Sequence, residues 1–283
     1  MKYAVPKFIW ALVGLFLFLP SLASAHQPRL VQAVTTTVDR PEVSKAYYGQ
    51  LIGEPQIFVI NATSSFNLYV NILVPDISGQ KKDVSAVVLK NGTELALLDA
   101  ATTDWKTFWE PFGRDSYWQG KEYKARVEAG TYEIRVWSSN NDSKYSLAIG
   151  EIEAFDARES VNALKLIPQL KREFFNESPA GFALSIVGFS YLAIMLALGF
   201  AGGLLYRFIL KRLAKGTGRG RPQNIGVADR VVRAGFGVAL LTLAITISWS
   251  PFLLFFSGFC FFEAMFSWCG FYAAIGKSTC PIE

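Results

Sequence analysis

Two long stretches near the C-terminus are almost empty of charge, and they constrain the fold more than any other feature. Residues 178–206 contain no Asp, Glu, Lys or Arg, and residues 234–275 contain one, Glu263. About 20 apolar residues cross a bilayer as a helix, so the first stretch is read as one span. The second is broken at Ser248-Trp249-Ser250-Pro251 and is read as a helical hairpin, with Trp249 at the headgroup level. From Ala234 to Trp249 is short for a span. Its helix is therefore expected to begin among residues 229–233, with the arginines reaching the headgroups. The expectation is an α-helical region of three transmembrane helices. Gly188, Gly199 and Gly203 of the first would let another helix approach closely, which predicts a homo-oligomer through that face.

Charge is partitioned along the chain. The formal net charge is +5, which could suggest nucleic acid. Yet residues 26–181 carry 17 Lys+Arg against 20 Asp+Glu, a net of −3. The basic excess lies in Arg207, Lys211, Arg212, Lys215, Arg219 and Arg221, directly after the first span. Cytoplasmic loops favour such blocks, and no interleaved aromatic and basic face accompanies this one, so no nucleic acid is expected. Residues 1–25 read as a secretory signal: Lys2 and Lys7, an apolar run from Phe8 to Leu19, Pro20, then Ala23-Ser24-Ala25. The alternative is an uncleaved anchor, for which the apolar run is short. Together these place residues 26–153 on the exported side of a membrane, residues 207–223 as a basic cytoplasmic linker, and the C-terminus inside.

Residues 26–153 read as an all-β, jelly-roll-like sandwich. Short apolar runs recur between turn signals, and Tyr132, Ile134 and Val136 alternate with Glu133 and Arg135 at the period of a half-buried strand. Residues 154–177 alternate apolar Val161, Leu164, Ile167 and Leu170 with charged residues. They predict an amphipathic connector, broken or kinked at Pro168.

Two segments resemble known families. Asn224, Gly226, Asp229, Arg230 and Arg233, followed by Cys269, Tyr272, Gly276, Thr279 and Cys280, resemble the two-helix membrane domain of YgaP-type inner-membrane proteins across residues 224–283. Gly270 stands where that family has proline. The resemblance implies a self-associating helical hairpin. No rhodanese loop precedes it, so sulfurtransfer does not carry over. Residues 129–136 and 144–147 resemble the last hairpin of pre-peptidase C-terminal β-sandwich domains, which implies a secreted, non-catalytic module.

Several side chains are candidates for chemistry. Cys260, Cys269 and Cys280 are all the cysteines, and Cys269 with Cys280 suggests a thiol-redox, sulfur-handling or soft-metal pair. Against this stands cysteine as a small packing residue. Glu263, an acid within an apolar stretch, marks either an ion path or an interhelical bond to Ser185, Ser190 or Tyr191. His26, the sole histidine, would head the mature chain and chelate copper through its amine and imidazole. Trp105, Trp109, Tyr117 and Trp118, with Phe108, Phe112, Tyr123, Asp104, Glu110, Arg114 and Asp115, form an aromatic-rich segment suited to a sugar or peptide platform. They would otherwise cap the sandwich. No phosphate loop or catalytic triad is present. The expectation is a non-enzymatic protein without a cofactor, whose sandwich binds a periplasmic ligand or partner.

Overall fold

A computed structural model describes residues 26–154, 156–213 and 223–280. The signal segment 1–25, Phe155, the basic residues Lys215, Arg219 and Arg221, and residues 281–283 lie outside the described residues. The chain divides after Ser185 into two compact units.

The first unit is two facing β-sheets. One has the order β1 (Gln27–Leu30), β3 (Lys45–Gln50), β11 (Lys144–Ile149), β5 (Phe66–Pro75), β9 (Asp115–Val127), β8 (Lys106–Glu110). The other runs β2 (Thr35–Thr37), β4 (Gln56–Ala62), β10 (Gly130–Trp137), β6 (Ser85–Lys90), β7 (Thr93–Leu98). Pairing is antiparallel except at one edge of each sheet, where β1 lies parallel to β3 and β2 to β4. The strand order supports a sandwich and not specifically a jelly roll.

Alternation places Tyr132, Ile134 and Val136 of β10 inside, opposite Leu68, Val70 and Leu147 of the other sheet, all fully buried in one core. The first sheet is buried on both faces at its centre, so β11 does not alternate. A two-sided burial of this kind needs a cover, and α1 (Ala157–Glu173) supplies it. Asp156 caps α1 by accepting from the Glu159 N–H at 2.8 Å. Leu170, Phe174 and Phe175 pack on Leu73, Tyr117 and Ala148. The expected break at Pro168 is absent, because the helix runs through it. Pro168 costs one backbone bond, but Ile167, Leu170 and Lys171 beside it are all buried. At the far end Lys144 Nζ donates to the Glu173 and Phe174 carbonyls at 3.0 and 2.7 Å.

The second unit is helical: α2 (Ile186–Leu213), α3 (Val227–Leu243) continued by a π segment (Ala244–Ser248), α4 (Pro251–Phe266) and α5 (Gly270–Ile275). Two of these, Ile186–Leu213 and Val227–Ser248, are long and apolar enough to cross a membrane. The first starts later than residue 178 and runs on into Lys211 and Arg212, because residues Pro179–Leu184 form a 3-10 helix instead. α3 begins ahead of Ala234, as expected. The third apolar stretch is not one helix. Ser267 turns left-handed at φ 52° and ends α4 after 16 residues, about 24 Å of rise.

α4 packs against both α2 and α3. A Cβ on Gly199 would sit 1.9 Å from the Phe255 carbonyl oxygen, and one on Gly258 2.1 Å from that of Leu196. Gly203 faces the Phe262 ring. The expected oligomer face is corrected here: Gly199 and Gly203 are occupied by α4 of the same chain. Trp249, at the turn between α3 and α4, packs within the helical unit, being 3% exposed and stacked on Tyr191 at 6.3 Å.

Candidate functional site

The polar cluster of the β unit lies beneath α1, at the β8–β9 end of the sheet. Residues paired across two strands share a face. Phe108 with Tyr117 and Glu110 with Asp115 therefore point to the α1 side. Lys171 reaches in from α1 and donates to Asp115 Oδ1 at 2.7 Å and the Arg114 carbonyl at 3.3 Å. Lys171 is 1% exposed and Asp115 6%. The Glu110 carboxylate accepts from the Phe112 and Gly113 N–H groups at 2.8 and 2.6 Å. A Cβ at 113 would lie 2.3 Å from Asp115 Oδ2 and 3.1 Å from Glu110 Oε2, so a larger residue there would displace the carboxylates. Tyr48 and Tyr117 hydroxyls meet at 3.2 Å.

These groups border a cavity of ≈ 40 Å³ whose wall includes Ile167 and Leu170 of α1, Phe108, Phe112 and His26. That volume admits water or a group of a few heavy atoms. Burial pushes the Glu110 carboxyl up to about 7, opposed by its two backbone N–H bonds and reinforced by nearby Asp115. Burial also raises Asp115, against the pull of Lys171. Tyr48 and Tyr117 are pushed up by the same desolvation. The site can hold a proton near neutral pH and offer two hydroxyls to a small polar group.

The aromatic platform expected from sequence is not one surface. Tyr117 is buried beneath α1. Trp118 lies on the opposite face, half-buried, with Nε1 on Asp76 at 3.0 Å and the Lys82 ammonium 3.8 Å over its ring. Trp105 packs against the core with Nε1 on the Ala100 carbonyl at 3.3 Å. Trp109 alone of the four is largely open, at 52%, under the Arg114 guanidinium. The segment is a paired hairpin, so its side chains alternate between two faces. His26 also has a neighbour: its Nδ1 bonds Ser44 Oγ. Among the described residues no group of three His, Cys, Asp or Glu is placed to hold a metal ion.

In the helical unit every motif position has a partner. Asn224 grips Cys269 twice, accepting from its N–H at 2.7 Å and donating to its carbonyl at 2.9 Å. The Thr279 N–H donates to the Asn224 carbonyl at 3.1 Å, and its hydroxyl bridges the Gly226 N–H and Asp229 at 3.0 and 3.2 Å. A Cβ on Gly226 would meet the Thr279 carbonyl oxygen at 2.3 Å. Arg230 bonds the Ala264 carbonyl at 2.8 Å. Tyr272 lies under both Arg233 and Lys277, and Gly276 closes α5 at φ 73°.

Glu263 pairs with Arg233, and Arg233 also lies 3.3 Å from Asp229. Its partner is thus a cation on α3, not the hydroxyls of Ser185, Ser190 or Tyr191. Tyr191 reaches the Trp249 carbonyl instead. All three cysteines are free thiols, with Cys269 buried and Cys260 and Cys280 half-buried. The residues that sequence reasoning misses as a group are Lys171, Asp115, Glu110 and Tyr48. Asp115 and Lys171 are 56 positions apart, and nothing local marks them as partners.

Residues 221–283 match the family model described as "Inner membrane protein YgaP-like, transmembrane domain". That stretch is similar to the YgaP-like transmembrane domain. The search of curated proteins found no match. Among solved structures, the pre-peptidase C-terminal domain of a collagenase from Bacillus anthracis is 11% identical, with 44% of this chain and 95% of that one covered, at a TM-score of 0.25. A family 35 carbohydrate binding module from an environmental isolate is 19% identical, with 35% and 67% covered, at 0.23. At those TM-scores neither neighbour bears on fold or function.

Proposed function

We propose that this is a bacterial inner-membrane protein whose β unit, exported behind a cleaved signal, binds a periplasmic ligand or partner without catalysing a reaction. The helices cross the bilayer three times and leave the C-terminus in the cytoplasm. The YgaP-like domain at 221–283 and two span-length helices support the membrane setting. Arg207, Lys211 and Arg212 after the first span support the orientation. The observation that carries the binding reading is the cavity beneath α1, where convergent polar groups meet apolar walls. Self-association, which the family resemblance implies, would use outward residues such as Phe236 and Val232 instead of the glycines.

The test is a thermal-shift screen of the full-length protein in nanodiscs against amines, alcohols and amides of a few heavy atoms. A ligand at 100 times its Kd stabilises by about 2.7 kcal/mol, and Tyr48→Phe or Phe108→Ala should abolish the shift. Binders unaffected by both variants would move the site elsewhere, and a screen without binders counts against the reading.

A second reading is favoured by one observation. The 224–226 segment binds Cys269 on one side and the Thr279–Cys280 stretch on the other, which brings two thiol-bearing segments onto one support. Thiol-redox or sulfur handling would follow. If both thiols resist a membrane-permeant alkylator, this reading fails.

A further inference from the structure

α1 is held on the sheet by an apolar contact that contains one carboxyl more than it has cations. Beneath it lie Asp115 and Glu110 against one cation, Lys171. The other groups facing the cluster are the Tyr48 and Tyr117 hydroxyls, His26 before β1, and Glu177 after α1, whose carboxylate is 3.8 Å from Lys171. With Glu110 protonated, Asp115 and Lys171 neutralise each other. When Glu110 ionises, one uncompensated negative charge remains under Ile167 and Leu170, in low dielectric and beside a like charge. Glu110 is half-buried at the edge of the cavity, and lifting the helix hydrates that charge further.

We propose that α1 is a proton-controlled clamp, docked on the sheet while Glu110 is protonated and loosened when it ionises. The consequence follows from chain order. Docked, α1 and the Pro179–Leu184 3-10 helix after it belong to the β unit, and α2 starts at Ile186. Undocked, the segment from about residue 154 to residue 185 becomes the link to α2. Arg29, which grips Glu159 at 2.7 and 2.9 Å, and Lys144 at the C-terminal carbonyls hold both ends. Loosening is therefore a shift in an opening equilibrium and not complete release. This device does not depend on any ligand in the cavity.

The sign and size can be worked out. Glu110 has its carboxyl at about 7 docked, against the ordinary 4.5. The opening constant then rises with pH between these values and levels off above the upper one. Between pH 5.5 and 8.0 the rise is about 25-fold if undocking restores the ordinary value.

Hydrogen exchange of the full chain in nanodiscs, corrected for intrinsic rates, tests this. Peptides covering α1 should lose protection about 25-fold over that interval in wild type, levelling off above pH 7, and should exchange faster than β10 peptides at every pH, because undocking comes before unfolding of the sheet. In Glu110→Gln and Glu110→Met, made in parallel, α1 should stay at its low-pH protection throughout. Unchanged α1 protection in wild type overturns the proposal. So does an equal loss in either folded variant, which would assign the transition to His26 or Asp115. Should neither variant retain β10 protection, the wild-type curve decides by itself, a flat one being fatal.

Discussion

Replacing Gly199 by alanine places a methyl carbon 1.9 Å from the Phe255 carbonyl oxygen and 2.9 Å from the Phe259 nitrogen. Both are backbone atoms of α4 and cannot turn aside. Ordinary contact begins near 3.4 Å, so the helices must separate by about 1.5 Å, and a gap of even half that forfeits a quarter or more of the facing dispersion energy. Overpacking of this kind costs about 3 kcal/mol, and the gain in helix propensity returns about 1. The net expectation is a loss of about 2 kcal/mol. Gly235 provides the control: no atom lies within 4 Å of its Cβ position, so Gly235→Ala should be neutral or stabilise by up to about 1 kcal/mol. The assay is unfolding of the helical unit in mixed micelles titrated with SDS, followed by far-UV circular dichroism. If Gly199→Ala unfolds at the same SDS fraction as wild type, the close crossing of α2 and α4 is wrong.

Three further outcomes are expected. Lys171→Met leaves Asp115 buried without its cation and should cost about 3–5 kcal/mol of β-unit stability at pH 7, whereas adding Asp115→Leu should recover most of it; denaturant titration with a β-sheet signal measures both. Asn224→Ala removes both bonds to Cys269 and should cost about 1–3 kcal/mol, seen as faster alkylation of Cys269 in native membranes. Glu110 binds its proton more tightly folded than unfolded, so β-unit stability should fall as pH rises from 4.5 to 7, by up to about 3 kcal/mol. A flat stability profile in wild type would contradict that last assignment.

Elements with a local signature are legible in the amino-acid sequence. The alternation of Tyr132, Ile134 and Val136 names a half-buried strand, and the connector's apolar period names a helix packed on one side. The charge-free stretches mark the helical unit, and the Asn224 to Thr279 pattern marks its family. What is not legible depends on chain partners far apart. Arg233 and Glu263 are 30 positions apart, and Asp115 and Lys171 lie further still, so each reads as an ordinary charge until the fold joins them. Gly199 and Gly203 advertise close approach without saying whose helix approaches. The aromatics between residues 105 and 118 read as one loop because no strong local signal marks the hairpin there, and its pleat sends neighbours to opposite faces. Pro168 misleads for the opposite reason. A local breaker is overruled by burial of its flanking residues.

Three crossings would leave the β unit outside and bring the tail back to the cytoplasm. Paired reporters fused behind Glu283 test this most directly, one that fluoresces only when folded in the cytoplasm and one enzymatically active only outside it. Fluorescence with an inactive enzyme is the predicted result. An active enzyme with a dark fluorophore would contradict the three crossings and the exported β unit together.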